Sequence, residues 1–426
     1  MSPALSRRRF LAGTTAALAP ALAGCGAWGA AADDPHTLVV HSQLAGIAPG
    51  APTFRSVIRE FERSHRGVTV RHVTNGDDLS QVYETARLAG KEADIAMVNL
   101  YDKTLAWTDV QATVPVGGYL DDWGLSERVL PAALQEWTDG DGRLRAFPYF
   151  GTNWPVAFNL DLLREAGIEE PPTSVDGLID AADALRGQGR TPVAIGGNDW
   201  TGQKLLAQII QTYLPRADAA RLFTSGDFGE AGAMRGIELF TQLRDAGVFA
   251  DNAQGLTSDS MTTQYNSGRA AAESAMSSAL AKVPKRTAAV TRVGGWPVPG
   301  DAAHDRPTVL RAHTVCGLWV SPNGRRKLPL VEKFVRFLYR PEVISRFVTE
   351  AGRDMSVRTK TLSTDFPLVA KAQRLSDNDV SQVLLPDLYV PATATTALIQ
   401  ATSTAFRPGT GARAISRALQ SAYRGR

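Results

Sequence analysis

Residues 37–98 decide the fold: TLVVH (Thr37–His41), FRSVIREFERS (Phe54–Ser64), VTVRHV (Val68–Val73), LSQVYETARL (Leu79–Leu88) and DIAMV (Asp94–Val98). The first and last segments are short apolar runs that read as buried strands, and the middle strand alternates. In the first helical segment Phe54, Val57, Ile58 and Phe61 recur at helical spacing, so one face is apolar. Strand, helix, strand, helix, strand in this order predicts an α/β fold with a mostly parallel sheet and helices on its faces.

The same grammar continues downstream. Residues 137–148 (WTDGDGRLRAFP) read as a hairpin around a Gly-rich turn. Asp139 and Asp141 lack the third acidic or Asn ligand and the closing Glu that a calcium loop needs, which leaves a plain turn. Val156–Asn159 is a strand, Asp161–Ala166 a short helix closed by Gly167, and Thr173 is the expected N-cap of a helix reaching Arg186. Residues Pro192–Ile195 form a strand, and Gln203–Leu214 and Gly232–Ala246 are helices. Leu328–Leu338 and Val343–Phe347 form a further helical pair. A second α/β unit therefore follows the first. About 400 residues suit two domains better than one core.

The first 24 residues obey different rules. Arg7, Arg8 and Arg9 precede an uncharged run, Phe10–Gly24, too short to span a bilayer. This is a secretory signal. Ser6–Ala12 resembles the twin-arginine export motif, and Leu22-Ala23-Gly24-Cys25 resembles the bacterial lipobox, which implies acylation of Cys25 and attachment to the outer face of the cytoplasmic membrane. Residues 25–35 are then a tether. The chain has 46 Lys and Arg against 43 Asp and Glu, and three of the arginines lie in the signal, so the rest carries 43 of each. That balance gives no support to nucleic-acid binding. With Cys25 acylated only Cys316 remains, in an apolar run where a buried, inert thiol is expected.

Several stretches resemble, in order and spacing, the carbohydrate-binding group of extracellular solute-binding proteins of ABC importers. Gly142–Pro148 resembles the group's G-K-x-Y-x-x-P hairpin, and FNLDLLREAGI (Phe158–Ile168) its YNKDLLEEAGI, with Pro171-Pro172-Thr173 following. Asn266–Ala271, Val293–Pro299 and Ala351–Val357 resemble its F-x-x-G-K-A-A-M, VGVAPLP and G-x-x-P-V segments. Ser174, Ala272 and Ser278 stand where the group commonly has an aromatic residue, Met and Trp. The resemblance implies a two-lobed periplasmic-binding-protein-like fold with a ligand cleft between the lobes. One lobe is expected from residues 36–148 plus 294–352, the other from 149–293 plus 353–426. It also implies a sugar or oligosaccharide ligand, delivery to ABC permease subunits, a monomer, and neither cofactor nor metal.

A sugar presents C–H faces that stack on aromatic rings and hydroxyls that need fixed donors and acceptors. Loops after predicted strands carry that mixture. The candidates are Gln43, Asn99, Tyr101, Phe150, Trp154, Asp199, Trp200, Trp296 and Arg353. Asn99, Trp154, Trp200 and Arg353 resemble common contact positions of the group. Core packing competes for each Trp, most strongly for Trp296 and Trp319, and His313 suits a structural role. The same fold binding a non-sugar solute is one alternative. An anchored glycoside hydrolase is another, for which Asp121, Asp122, Asp199 and Glu273 are available carboxylates. Nucleophile-elbow, zinc-protease and P-loop motifs are missing from the sequence, and the nine tyrosines are too dispersed for an iron site.

Overall fold

A computed structural model describes residues 34–44, 50–99, 104–375 and 377–424. The signal sequence, Cys25 and Tyr101 lie outside the described residues. In chain order the strands are β1 (Thr37–Ser42), β2 (Thr69–Thr74), β3 (Ile95–Asn99), β4 (Phe147–Trp154), β5 (Val156–Asn159), β6 (Thr191–Ala194), β7 (Ala270–Ser274), β8 (Thr291–Gly294), β9 (Thr308–Val320), β10 (Asp354–Met355) and β11 (Ser381–Leu384).

They form two sheets. The first runs β10-β4-β9-β3-β1-β2, with β11 also paired to β9. Within it β1 lies parallel to β2 and β3, as the opening β-α-β-α-β predicts, and β9 lies antiparallel to β3 and β4. The second sheet runs β6-β7-β5-β8.

Each sheet has its own apolar core. Beside the first, the helix Gly50–Ser64 buries Phe54, Val57, Ile58 and Phe61. Phe61 meets Phe334 of the helix Leu328–Leu338 edge-on, with centroids 5.1 Å apart. Full burial of each such side chain contributes about 1.5–3 kcal/mol. At the start of β1, Asp94 accepts from the backbone N–H of Val39 at 2.7 Å and pairs with Lys327 at 3.1 Å. In the second core, the helix Val175–Gly187 is capped by Ser174, whose hydroxyl accepts from Gly177 N–H at 3.2 Å, and not by Thr173 as the capping pattern suggested. The hairpin expected over 137–148 reduces to a single bridge, Thr138 to Leu144, with Arg143 drawn onto Asp139 at 2.8 Å.

The joint between the sheets differs in detail from the sequence reading. Strand β4 runs through the boundary expected at residue 148, and the chain changes sheets at Pro155, between Trp154 of β4 and Val156 of β5. The sequence places the crossing a few residues early because Gly151, Thr152 and Asn153 read as loop, whereas they continue β4 up to Trp154. Strands β10 and β11 belong to the first sheet although they follow residue 353, whereas the later helices Thr395–Phe406 and Ala412–Arg424 pack into the second core. At the other passage, β8 ends at Gly294 and Trp296 bridges to Thr308 at the start of β9.

Candidate functional site

The loop 196–200 (GGNDW) shows how the sequence presents a side chain between the two cores. Asp199 caps the helix Trp200–Ile210: one carboxylate oxygen accepts from the N–H and hydroxyl of Thr201, at 2.9 and 2.6 Å. The other accepts from Ser258 N–H at 2.5 Å and ties the loop to the start of the helix Ser258–Asn266. The loop closes so tightly that a Cβ at Gly196 would come 2.5 Å from the Thr201 hydroxyl, and one at Gly202 would come 2.7 Å from the Gly196 carbonyl. Trp200, the first helical residue, is thereby held outward with 39% of its surface exposed. Its ring stands edge-on to Trp154 at 5.4 Å and 86°. Trp154 is itself buried, and its indole Nε1 has no hydrogen-bond partner among the described residues.

Opposite, the helix Pro341–Ala351 ends at Gly352, whose φ of +59° is the left-handed conformation that glycine adopts without cost. The turn delivers Arg353, whose guanidinium lies 5.3 Å above the ring of buried Phe150 and beside Gly50. Gln43 Oε1 accepts from Asn99 N–H at 2.5 Å, so the loop after β1 is locked to the end of β3. The buried Nε2 of Gln43 has no partner among the described residues.

Between these groups lies a cavity of about 290 Å³, lined by Trp200, Ser258, Met276, Ser278, Lys282 and Arg353 among others. It has one exposed aromatic face, several hydroxyls and two cations, the mixed lining a polyhydroxylated ligand needs. Among the described residues no group of His, Cys, Asp and Glu could hold a metal ion.

The candidates separate. Trp200 and Arg353 face the cavity. Trp154 supports Trp200 from below, and Phe150 supports Arg353. Gln43 and Asn99 hold the loop ends of the first sheet together. Asp199 has its carboxylate engaged by three donors of the chain and works as a brace. Trp296 is a core residue, 1% exposed and stacked on Phe249 at 6.1 Å, because the strand bridge to Thr308 turns it into the second core. Ser258, Met276 and Lys282 were missed. Their sequence signal is weak, since they come from a helix start and from the turn 277–282 after β7.

Three further residues named from the sequence lie outside the cavity: His313 and Cys316, for which structural roles were expected, and Glu273, an available carboxylate on the hydrolase alternative. His313 is fixed by Glu136, which accepts from its N–H at 2.7 Å and meets Nδ1 at 3.0 Å. Cys316 is buried, and burial pushes its thiol up to about 12. Glu273 is 1% exposed, and burial pushes its carboxyl up to about 8.

Two cored α/β units joined at Pro155, with a mixed apolar and polar cavity between them, define a two-lobed solute-binding protein. The chain belongs to the bacterial extracellular solute-binding proteins, whose family pattern matches residues 47–344. It is similar to a probable secreted solute-binding lipoprotein from Streptomyces coelicolor of known crystal structure. The two are 63% identical with a TM-score of 0.85, covering 92% of this chain and 99% of that one. A chitin oligosaccharide binding protein has the same fold at 18% identity and a TM-score of 0.77, covering 90% of this chain and 97% of the other. A probable sugar-binding periplasmic protein of Rhizobium meliloti is 34% identical over 130 residues, which is 29% of this chain and 30% of the relative. The chain thus spans less than a third of that curated relative's length, and 21% of its Brucella suis counterpart. No helix among the described residues is long and apolar enough to cross a membrane.

Proposed function

We propose that this chain captures a sugar or oligosaccharide outside the cell and delivers it to the permease subunits of an ABC transporter. On this reading the signal sequence is removed, Cys25 is acylated, and residues 25–35 tether a monomer to the outer face of the membrane. The two cores act as lobes that close over the ligand about the passages at Pro155 and at residues 294–308. The chain performs no chemistry on what it binds.

The observation that carries the reading is the placement of Trp200. A large ring left 39% exposed in a protein that buries its other described tryptophans is held in place by a capped helix and a tight glycine loop, at the edge of a polar cavity. Stacking on a sugar's C–H face would cover it, while Ser258, Ser278, Lys282 and Arg353 would meet the hydroxyls. The names of the Rhizobium relative and of the chitin oligosaccharide binding protein support a saccharide.

The test is a thermal-shift screen of residues 26–426 against carbohydrates, amino acids, peptides and polyols. A ligand at a hundredfold excess over Kd stabilises the folded form by about 2.7 kcal/mol. A rise with one class of saccharide supports the reading. A rise confined to non-sugar solutes refutes the sugar assignment.

A further inference from the structure

Beside the Trp200 cavity lies a groove of about 660 Å³, and Arg353 lines both. The groove walls carry Arg311, Arg353, Arg358 and Lys360 against a single carboxylate, Asp354. The chain beyond its signal has equal numbers of acidic and basic residues, so this excess is local. Asp354 is turned toward Ser277, whose hydroxyl donates to it at 2.6 Å, and burial pushes its pKa up. Arg311 acts on Asp354 through space in the opposite direction. Arg358 donates through Nε to the carbonyl of Glu127 at 3.0 Å, and its remaining N–H groups lie on an exposed side chain.

The floor of the groove holds a second clue. Asn153 is 3% exposed, and its Nδ2 donates to the Ala372 carbonyl at 2.8 Å. That bond fixes which way the amide points. Its Oδ1 is buried without a partner among the described residues, and a buried acceptor calls for a donor, which a hydroxyl entering the groove can supply. The groove therefore asks for an anionic group, which guanidinium and ammonium groups hold by charge-assisted hydrogen bonds. It also asks for a hydroxyl that donates to Asn153. Sugar acids carry both on one ring.

We propose that this groove holds the carboxylate-bearing unit of an acidic saccharide, with the adjoining unit stacked on Trp200. The proposal rests on the sugar reading above and narrows it to uronic-acid-containing ligands.

The experiment is calorimetric titration of the purified protein with galacturonate and glucuronate dimers and with the matching neutral disaccharides. The acidic ligand is expected to bind at least about tenfold more tightly, the scale of one added charge-assisted contact. Arg311→Met combined with Lys360→Met should abolish that preference and leave neutral-sugar affinity unchanged. Neutral sugars binding as well as acidic ones overturns the proposal, and so does a preference that survives the double substitution. Binding of neither kind overturns the sugar reading along with it.

Discussion

Glu273→Gln probes a buried group that neither the cavity nor the groove uses. Among the described residues no cation faces Glu273, and burial pushes its carboxyl up to about 8. In the unfolded chain the carboxyl regains an ordinary value near 4.5. Between those two values the native state holds a proton that the unfolded state releases. The native state binds more protons there, so stability falls as the pH rises. Each pH unit across that window costs about 1.4 kcal/mol, so the full penalty is roughly 5 kcal/mol, complete above about pH 8 and absent below about pH 4.5. Gln has nearly the same shape and carries no such penalty. Urea denaturation of both proteins at pH 5, 7 and 9 measures the difference. The variant should gain on the parent as the pH rises, by about 4 kcal/mol between pH 5 and 9, with the gain levelling off above about pH 8. A difference that is constant with pH would refute the reasoning, since it would mean Glu273 does not change protonation state on unfolding.

His41 and His72 act in the opposite sense. Burial, aided by Arg71 for His41 and Arg55 for His72, pushes both down to about 4. Their native values lie below the unfolded value, so stability is retained above about pH 6.5 and lost as the pH falls toward 4; in the Glu273→Gln background the melting temperature should therefore fall from pH 6.5 to 4 and stay flat above. Lys204 and Asp387 form a buried pair at 2.9 Å that fixes the helix Trp200–Ile210 to the segment 386–388. Lys204→Met should cost roughly 3 kcal/mol in urea unfolding by stranding the carboxylate, and adding Asp387→Asn should recover part of it. Gly352→Ala places a side chain at φ +59° and a Cβ 3.2 Å from Phe366, so a loss of about 1 kcal/mol or more is expected, together with weaker ligand binding as Arg353 shifts.

Much of the fold was legible because the signals are local. The opening β-α-β-α-β needs only periodicity at Phe54, Val57, Ile58 and Phe61 and the apolar runs around Val40 and Ile95, and the parallel pairing of β1 with β2 and β3 follows from it. The position of the sheet switch at Pro155 was not legible: Val156–Asn159 reads as a strand, but Gly151, Thr152 and Asn153 make residues 149–154 read as a crossing loop and not as part of β4. Nor was the return of β10 and β11 to the first sheet, since pairing between residues 381–384 and 308–311 leaves no local trace. The site divides along the same line. Trp200 could be chosen because Gly, Asn and Asp before it signal a loop, and Arg353 because Ala351–Val357 resembles a segment of the carbohydrate-binding group; the helix end at Gly352 that delivers Arg353 was not read from the sequence. Trp296 offers the same chemistry in sequence, and only its bridge to Thr308 and its stacking on Phe249 assign it to the core. Asp199 looked like a ligand acceptor because nothing local reveals that Ser258, 59 positions away, takes its second oxygen.

The central claim is that a saccharide is held against Trp200 in the cavity between the two cores. Its most direct test is calorimetric titration of the saccharide identified by the thermal-shift screen into the parent protein and Trp200→Ala. Trp200 belongs to neither apolar core, so the variant should stay folded, with its urea midpoint lowered only by loss of the edge contact with Trp154, while binding at least about tenfold more weakly. Unchanged affinity in a folded Trp200→Ala protein would contradict the account.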